Sequence, residues 1–299
     1  MERLSEQALG QPSRYQLDFP AARAALVKQR RWWNDSAPSI AFAQSSHIVV
    51  AGRRVTLRRY HPVNPNNNLL LIYLHGGGWC VGSWRTHDSL LRRLVAGLGC
   101  GVVAIDYSLA PEFPFPSALE DVRHAVDYLL EPGRPWVLAG DSAGAALALA
   151  DSQSRRDRAA NAPGALILFY GSYLPQRPSD SMKRWGSGAY GLSEAALSRY
   201  AQAYCPPSTQ PAVRSERWAA LYPADGRLEG LPPCLLVAAQ CDPLLDDSLE
   251  LARRLQSAGQ AFDLIQVPGV IHGFMNYGRL LPEVQQTVDQ IKTFLAPLA

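Results

Sequence analysis

The sequence predicts an α/β fold: a mostly parallel central sheet with helices on both faces and a helical cap over one end. Three observations carry this. Short apolar runs recur along the chain, most intervals between them have helical periodicity, and one long interruption, residues 172–230, breaks the rhythm. Strands alternating with helices imply a parallel sheet covered on both faces.

The elements follow in order. Residues 1–40 are helical in tone, with Trp32-Trp33 near the end. Residues 45–60 read as a hairpin, with SSHIVV and RVTLRRYH either side of a turn at Ala51-Gly52. Apolar runs follow at LLLIYL (69–74), GVVAID (101–106), PWVLAG (135–140), ALILFY (165–170), CLLVAA (234–239) and FDLIQV (262–267). Between them, DSLLRRLVAGL places Leu90, Leu91, Leu94, Val95 and Leu98 on one helical face, and SALEDVRHAVDYLL and SLELARRLQSAG behave likewise. Residues 172–230 hold no convincing strand and are rich in Pro, Ser, Trp and Tyr. So long an interruption is expected to be an inserted element, packing with residues 1–40 as a cap on a single domain spanning 1–299.

Composition narrows the function. With 299 residues, 47% hydrophobic and 18% charged, the chain can bury a large core and is neither disordered nor fibrous. A formal charge of +3 is too weak to imply nucleic acid, and Arg30-Arg31, Arg53-Arg54 and Arg92-Arg93 read as solvated faces. No secretory signal is visible, and no apolar run reaches the length that spans a membrane. The five cysteines (80, 100, 205, 234, 241) show no CxxC pair and no zinc spacing. No metal or cofactor is therefore expected, and scattered thiols suit a reducing cytoplasm. Cys80 and Cys241 lie near motifs but read as buried bystanders.

The chemistry begins at GDSAG (140–144), which follows strand PWVLA and opens the Ala-rich stretch AALALADSQ. G-x-S-x-G in a strand–turn–helix context marks Ser142 as a nucleophile projecting from a strained turn. A serine hydroxyl needs a base, and the base an orienting group. Of the six histidines, His47 and His61 fall in the hairpin, His124 lies mid-helix, His87 sits near a helix cap, and His75 could brace a loop. His272 follows the last strand in the loop GVIHGF, where an open α/β sheet delivers a general base. Asp242 follows strand CLLVAAQC and is the candidate acid. Asp246 and Asp247 suit a helix start instead, and Asp263 an edge strand. Upstream, LLLIYLHGGGWCVGSW (69–84) runs from a strand into three consecutive glycines, each costly in backbone entropy. Acyl transfer explains them: the amides of Gly77 and Gly78, with that of Ala143, can meet a developing oxyanion only if no side chain blocks the approach.

These motifs make the chain resemble the hormone-sensitive-lipase family of α/β-hydrolases, especially its bacterial acetyl esterase branch. The resemblance rests on YLHGGGW (73–79), THDSLLRRL (86–94), DYSLAPEFPFPSALED (106–121), AGDSAGA (139–145), YGSY (170–173), PPCLLVAAQCDPLLDDS (232–248), PGVIHGFMNY (268–277) and, in the cap, RRWWNDSAP (30–38). It implies an α/β-hydrolase fold, a Ser142–His272–Asp242 triad and an oxyanion hole of Gly77, Gly78 and Ala143. The chain departs at Ala145-Ala146, where much of the family has Gly-Asn, and at Ser108, where the wider family has arginine. Glu112 is a candidate for ordering the site or for structural support.

The implied activity is hydrolysis of short acyl esters, acetyl to butyryl, by a cytoplasmic carboxylesterase with a small-molecule substrate. Bulky cap residues (Trp32, Trp33, Tyr173, Trp185, Tyr190) are expected to close the acyl pocket, with Tyr173 and Trp185 against the substrate. An arylformamidase-like amidase and a ligand-binding regulator on the same scaffold are the alternatives. A lipase is disfavoured because no strongly apolar amphipathic lid is visible. The physiological ester stays open, as does the choice between monomer and homodimer.

Overall fold

The computed structural model describes residues 15–298; the part of the expected cap in residues 1–14 lies outside them. Eight strands form one sheet in the spatial order β1-β2-β4-β3-β5-β6-β7-β8. The hairpin strands β1 (Phe42–Val50) and β2 (Arg53–His61) pair antiparallel, from Phe42 opposite His61 to Val50 opposite Arg53. Their two-residue turn sets Ala51 and Gly52 at φ 47° and 80°, the left-handed values that match hairpin twist. β2 runs antiparallel to β4 (Gly101–Asp106), and all later neighbours are parallel: β3 (Leu70–Leu74), β5 (Trp136–Asp141), β6 (Leu166–Phe169), β7 (Cys234–Cys241) and β8 (Phe262–Ile271).

Alternation builds two cores. Leu70, Ile72 and Leu74 of β3 join one apolar cluster, and Leu71 and Tyr73 join the other across the sheet. Helices cover both faces, which is why the central strands are apolar throughout. Among the described residues the α-helices are α1 (Phe19–Asn34), α2 (Trp84–Leu98), α3 (Ser117–Leu129), α4 (Ala143–Asp157), α5 (Asp180–Trp185), α6 (Glu194–Tyr204), α7 (Glu216–Leu221), α8 (Leu245–Ser257) and α9 (Pro282–Leu295). No helix among the described residues is long and apolar enough to cross a membrane.

The interruption between β6 and β7 holds α5, α6 and α7, and the sequence marks each start. Ser179, Ser193 and Ser215 accept the backbone amides of Met182, Ala196 and Trp218, and an acidic residue follows each serine. This insertion packs against the N-terminal segment. The Arg199 guanidinium donates to the carbonyls of Tyr15 and Leu17, and the Tyr15 hydroxyl donates to the Gly191 carbonyl at 2.9 Å. Helix α1 is in turn fixed to the sheet's end by Arg23. Its guanidinium donates to the carbonyls of Cys80 and Ala110 and pairs with Glu112 at 2.6 Å.

One boundary differs from the sequence reading. β8 continues through Pro268-Gly269 to Ile271 instead of stopping at Val267. The register shifts between Ala239 and Cys241 opposite it, and the Gly269 amide donates to Gln240 Oε1 at 2.8 Å. This irregularity lets the strand run on and deliver the next residue, His272, beside β7.

Candidate active site

The carboxyl ends of β3, β5, β7 and β8 release the glycine loop, Ser142, Asp242 and His272 on one edge of the sheet. Ser142 occupies φ 55°, ψ −119°, outside the regions favoured by side-chain-bearing residues, just before α4. The flanking glycines permit it. A Cβ on Gly140 would strike the Gly144 carbonyl, and one on Gly144 would strike the Leu74 carbonyl at the end of β3. The turn is held by the Ser142 amide, which donates to the Phe169 carbonyl at 2.9 Å.

Ser142 Oγ lies 3.0 Å from His272 Nε2, and His272 Nδ1 lies 2.7 Å from Asp242 Oδ2. Asp242 is fully buried, and its other oxygen accepts the Leu244 amide at 2.8 Å, so the carboxylate cannot rotate away from the ring. With Nδ1–H donating to Asp242, Nε2 is left to accept a hydrogen bond from the Ser142 hydroxyl. The rival acids are engaged elsewhere: Asp246 accepts the Ser181 amide, and Asp247 accepts the amides of Tyr173 and Leu174. Asp263 is exposed on the edge strand.

The glycine loop is built for close contact on three sides. Gly77 (φ 125°) and Gly78 (φ 59°) adopt left-handed conformations, and a Cβ would strike the Val81 carbonyl at the first and the Tyr200 ring at the second. Among the described residues, the amides of Gly77, Gly78 and Ala143 donate no hydrogen bond, which leaves them available to a ligand. His75 braces the loop as expected. Its Nδ1–H donates to the Gly76 carbonyl at 2.8 Å, and its ring stacks on Tyr107, 4.3 Å between centroids. Burial depresses the basicity of this imidazole to a pKa of about 4, so it stays neutral, with the nearby His87 adding to the effect.

Asp141 and His87 were not singled out from sequence, yet they join the two motifs. Asp141 Oδ1 accepts the Gly76 amide at 2.8 Å and the Tyr73 hydroxyl at 2.8 Å. His87 Nε2 stands 3.2 Å from the same oxygen, while its Nδ1 reaches back to the Ser83 carbonyl at the start of α2. Burial alone would raise this carboxyl. The His87 charge and hydrogen bond, the Tyr73 hydroxyl and the Gly76 amide outweigh it and bring the pKa down to about 2. The residue before Ser142 thus grips the residue before Gly77.

A cavity of ≈ 170 Å³ opens over Ser142 and His272, lined by apolar side chains that include Leu174, Met182, Leu192, Leu197, Tyr200 and Leu221. Tyr173 and Trp185, expected against the substrate, are not among the lining residues. Tyr173 is fully buried at the start of the insertion, where its amide is tied to Asp247, and Trp185 packs edge-on against Tyr190. Their place is taken by Tyr200 and Tyr204, one helical turn apart on α6, with the Tyr204 ring stacked 4.6 Å from Trp79. Glu112 stands apart from the cavity and supports α1 through Arg23. Burial pushes the Cys80 thiol up to about 12, which fits a bystander. Among the described residues, no cluster of side chains could hold a metal ion.

A serine on a strained turn, an Asp–His–Ser line of hydrogen-bond distances and a glycine loop around one cavity are the arrangement used by serine hydrolases on such a sheet. Residues 71–276 match the family with the alpha/beta hydrolase fold, and the chain belongs to it. The chain is similar to the acetyl esterase of Salmonella schwarzengrund, 35% identical over 290 residues covering 93% of this chain and 87% of that one. Among solved structures it is similar to an esterase of Pyrobaculum calidifontis (29% identity, TM-score 0.87, 99% of both chains). An ester hydrolase from the metagenome of Lake Arreo is comparable, at 30% identity and TM-score 0.86, covering 98% of this chain and 94% of that one.

Proposed function

We propose that this carboxylic ester hydrolase cleaves short-chain acyl esters, acetyl to butyryl, with Ser142 as nucleophile, His272 as general base and Asp242 as its orienting acid. The observation that carries the reading is the line of hydrogen-bond distances from Asp242 through His272 to Ser142 beneath the cavity. Ser142 Oγ attacks the acyl carbon while its proton passes to His272 Nε2, and Asp242 stabilises the imidazolium. The carbonyl oxygen becomes an oxyanion facing the amides of Gly77, Gly78 and Ala143. The last belongs to the first turn of α4, where unpaired amides and the helix dipole both favour negative charge. His272 returns the proton to the departing alcohol, and water repeats the sequence to release the acid and restore Ser142.

The N-terminal helix and the α5–α7 insertion act as the cap, and its side chains set the acyl length. Each added methylene gains ~0.8 kcal/mol if it finds space. Forcing packed side chains apart costs about 1–3 kcal/mol, so a closed pocket reverses the gain. The acetyl esterase of Salmonella schwarzengrund supports this reading, since the chain is 35% identical to it over 93% of its length. Two measurements test it. A fluorophosphonate probe should label Ser142, and Ser142→Ala or His272→Ala should lower kcat by about 10⁵–10⁶. In a series of nitrophenyl esters from two to twelve carbons, kcat/KM should peak at acetyl to butyryl, and a maximum at eight carbons or beyond would refute the closed pocket.

A further inference from the structure

Among the described residues, the His, Asp and Arg side chains that line the cavity pair off with one exception. His272 faces Asp242, His87 faces Asp141, and Arg177 faces Asp247 at 3.4 Å. Arg30, on α1, also lines the cavity, and among the described residues it makes neither an ion pair nor a hydrogen bond. It is nevertheless held in place. Its guanidinium lies 4.9 Å from the centre of the Tyr277 ring, and Trp33, three residues further along the same helix, packs on that ring at 4.9 Å. By contrast Arg23, earlier on α1, is fully occupied by Glu112 and two carbonyls.

The position of Arg30 assigns it to one half of the substrate. Tyr277 closes the short turn Phe274–Tyr277 that follows His272, so Arg30 stands on the side of the cavity from which the general base approaches. The imidazole must protonate the departing alcohol, and the alcohol half therefore leaves past His272. From these observations, and resting on the esterase reading above, we infer that Arg30 docks a carboxylate carried by the alcohol half: the substrate is a short acyl ester of a hydroxy acid. A planar guanidinium with no protein acceptor presents the fork that a carboxylate fills with two parallel hydrogen bonds. One guanidinium without a protein acceptor balances a monoanion better than a phosphate dianion.

The test compares hydrolysis of 4-acetoxybenzoate, its neutral analogue 4-acetoxybenzamide and 4-acetoxyphenyl phosphate by the wild-type protein, Arg30→Met and Arg30→Lys. Taking the acid-to-amide ratio of kcat/KM within each protein, and comparing that ratio between proteins, cancels the difference in leaving-group chemistry. The ratio should fall by about 10–100-fold in Arg30→Met, the scale of one charge-assisted pair, chiefly through KM, and recover in part in Arg30→Lys. In the wild-type protein, benzoate should compete with the amide substrate at lower concentration than benzamide does, a measurement that needs no variant. An unchanged ratio across the three proteins, or benzoate no stronger than benzamide, would overturn the assignment. A larger Arg30-dependent preference for the phosphate than for the carboxylate would overturn the choice of anion. Failure of the wild-type protein to hydrolyse even 4-acetoxybenzamide would instead overturn the esterase reading itself.

Discussion

Replacing Asp141 with asparagine tests whether the nucleophile turn and the glycine loop work as one body. Asparagine keeps the shape and can still accept the Gly76 amide and the Tyr73 hydroxyl, but both bonds lose their charge. A charge-assisted bond exceeds a neutral one by about 1 kcal/mol, so the two changes cost roughly 2 kcal/mol. The depression of this carboxyl from 3.8 to about 2, to which His87 contributes ahead of these two bonds, amounts to about 2 kcal/mol at 1.36 kcal/mol per pH unit. The sign follows from the depressed value: ionised Asp141 stabilises the fold above about pH 4, and that contribution fades as pH falls toward about 2. Asp141→Asn should therefore lower Tm by several degrees at pH 7, and the gap to wild type should narrow in acid. Catalysis should suffer as well. Gly76 precedes the two proposed oxyanion donors, and a misplacement on the order of 1 Å costs about 10²-fold. Expected is a loss of about 10–100-fold in kcat on nitrophenyl acetate with little change in KM. A lower Tm with kcat within twofold of wild type would show that the clamp stabilises the fold without positioning the loop.

Asp242→Asn should cost roughly 10⁴ in kcat by misorienting the imidazole, whereas Asp247→Asn should cost far less, and equal losses on the same ester would refute the assignment of the acid. Burial raises the Asp247 carboxyl to about 7, with Asp242 adding to it and Arg177 and two amides opposing it. Its protonated form is the one the fold favours, so its contribution is present below about pH 4 and lost as pH rises through about 7. Asp247→Asn should raise Tm relative to wild type at pH 8 and lose that advantage by pH 4, as thermal melts at both values would reveal. Gly78→Ala should lower both kcat and Tm, because the added methyl meets the Tyr200 ring and the residue sits at φ 59°. In a Tyr200→Ala background, which removes the whole ring, Gly78→Ala should cost less Tm than in the wild type, and an equal cost would mean that the left-handed backbone, not the ring, sets it.

Much of the fold was legible because the signals were local. The runs at 69–74, 101–106, 135–140 and 234–239 are almost continuously apolar, with side chains feeding the cores on both faces, as a sheet covered twice requires. Ser142, Asp242 and His272 could be ranked because each lies in the turn or loop shortly after an apolar run. The insertion was harder to read. Its three helices start at serine caps followed by acidic residues, but α5 and α7 have only six residues each, too short for periodicity to register. That is why Trp185 was expected at the substrate and the Tyr200–Tyr204 pair was not, although four-residue spacing on one helix puts both rings on a single face. His87 and Asp141 were obscured for another reason. Each lies in a motif with a sufficient local explanation, a helix start and the variable position of G-x-S-x-G, and only the folded chain brings them within 3.2 Å.

The same distinction explains the three consecutive glycines. Sequence requires that something approach the backbone closely but cannot say what, since the partners lie 4 to 122 residues away along the chain. A Cβ on Gly76 would sit 2.5 Å from the Asp141 carboxylate, one on Gly77 would meet the Val81 carbonyl in its own turn, and one on Gly78 would meet Tyr200 from the insertion. Three different bodies therefore close on three successive residues: the nucleophile turn, the loop itself and the cap. Had the glycines served only as a turn, one or two would have been enough. Each side chain is excluded separately, so substituting each glycine should leave a different trace: coupling to Ser142 at Gly76, loop geometry at Gly77 and cap seating at Gly78. The Gly78 substitution alone should respond to a change at Tyr200.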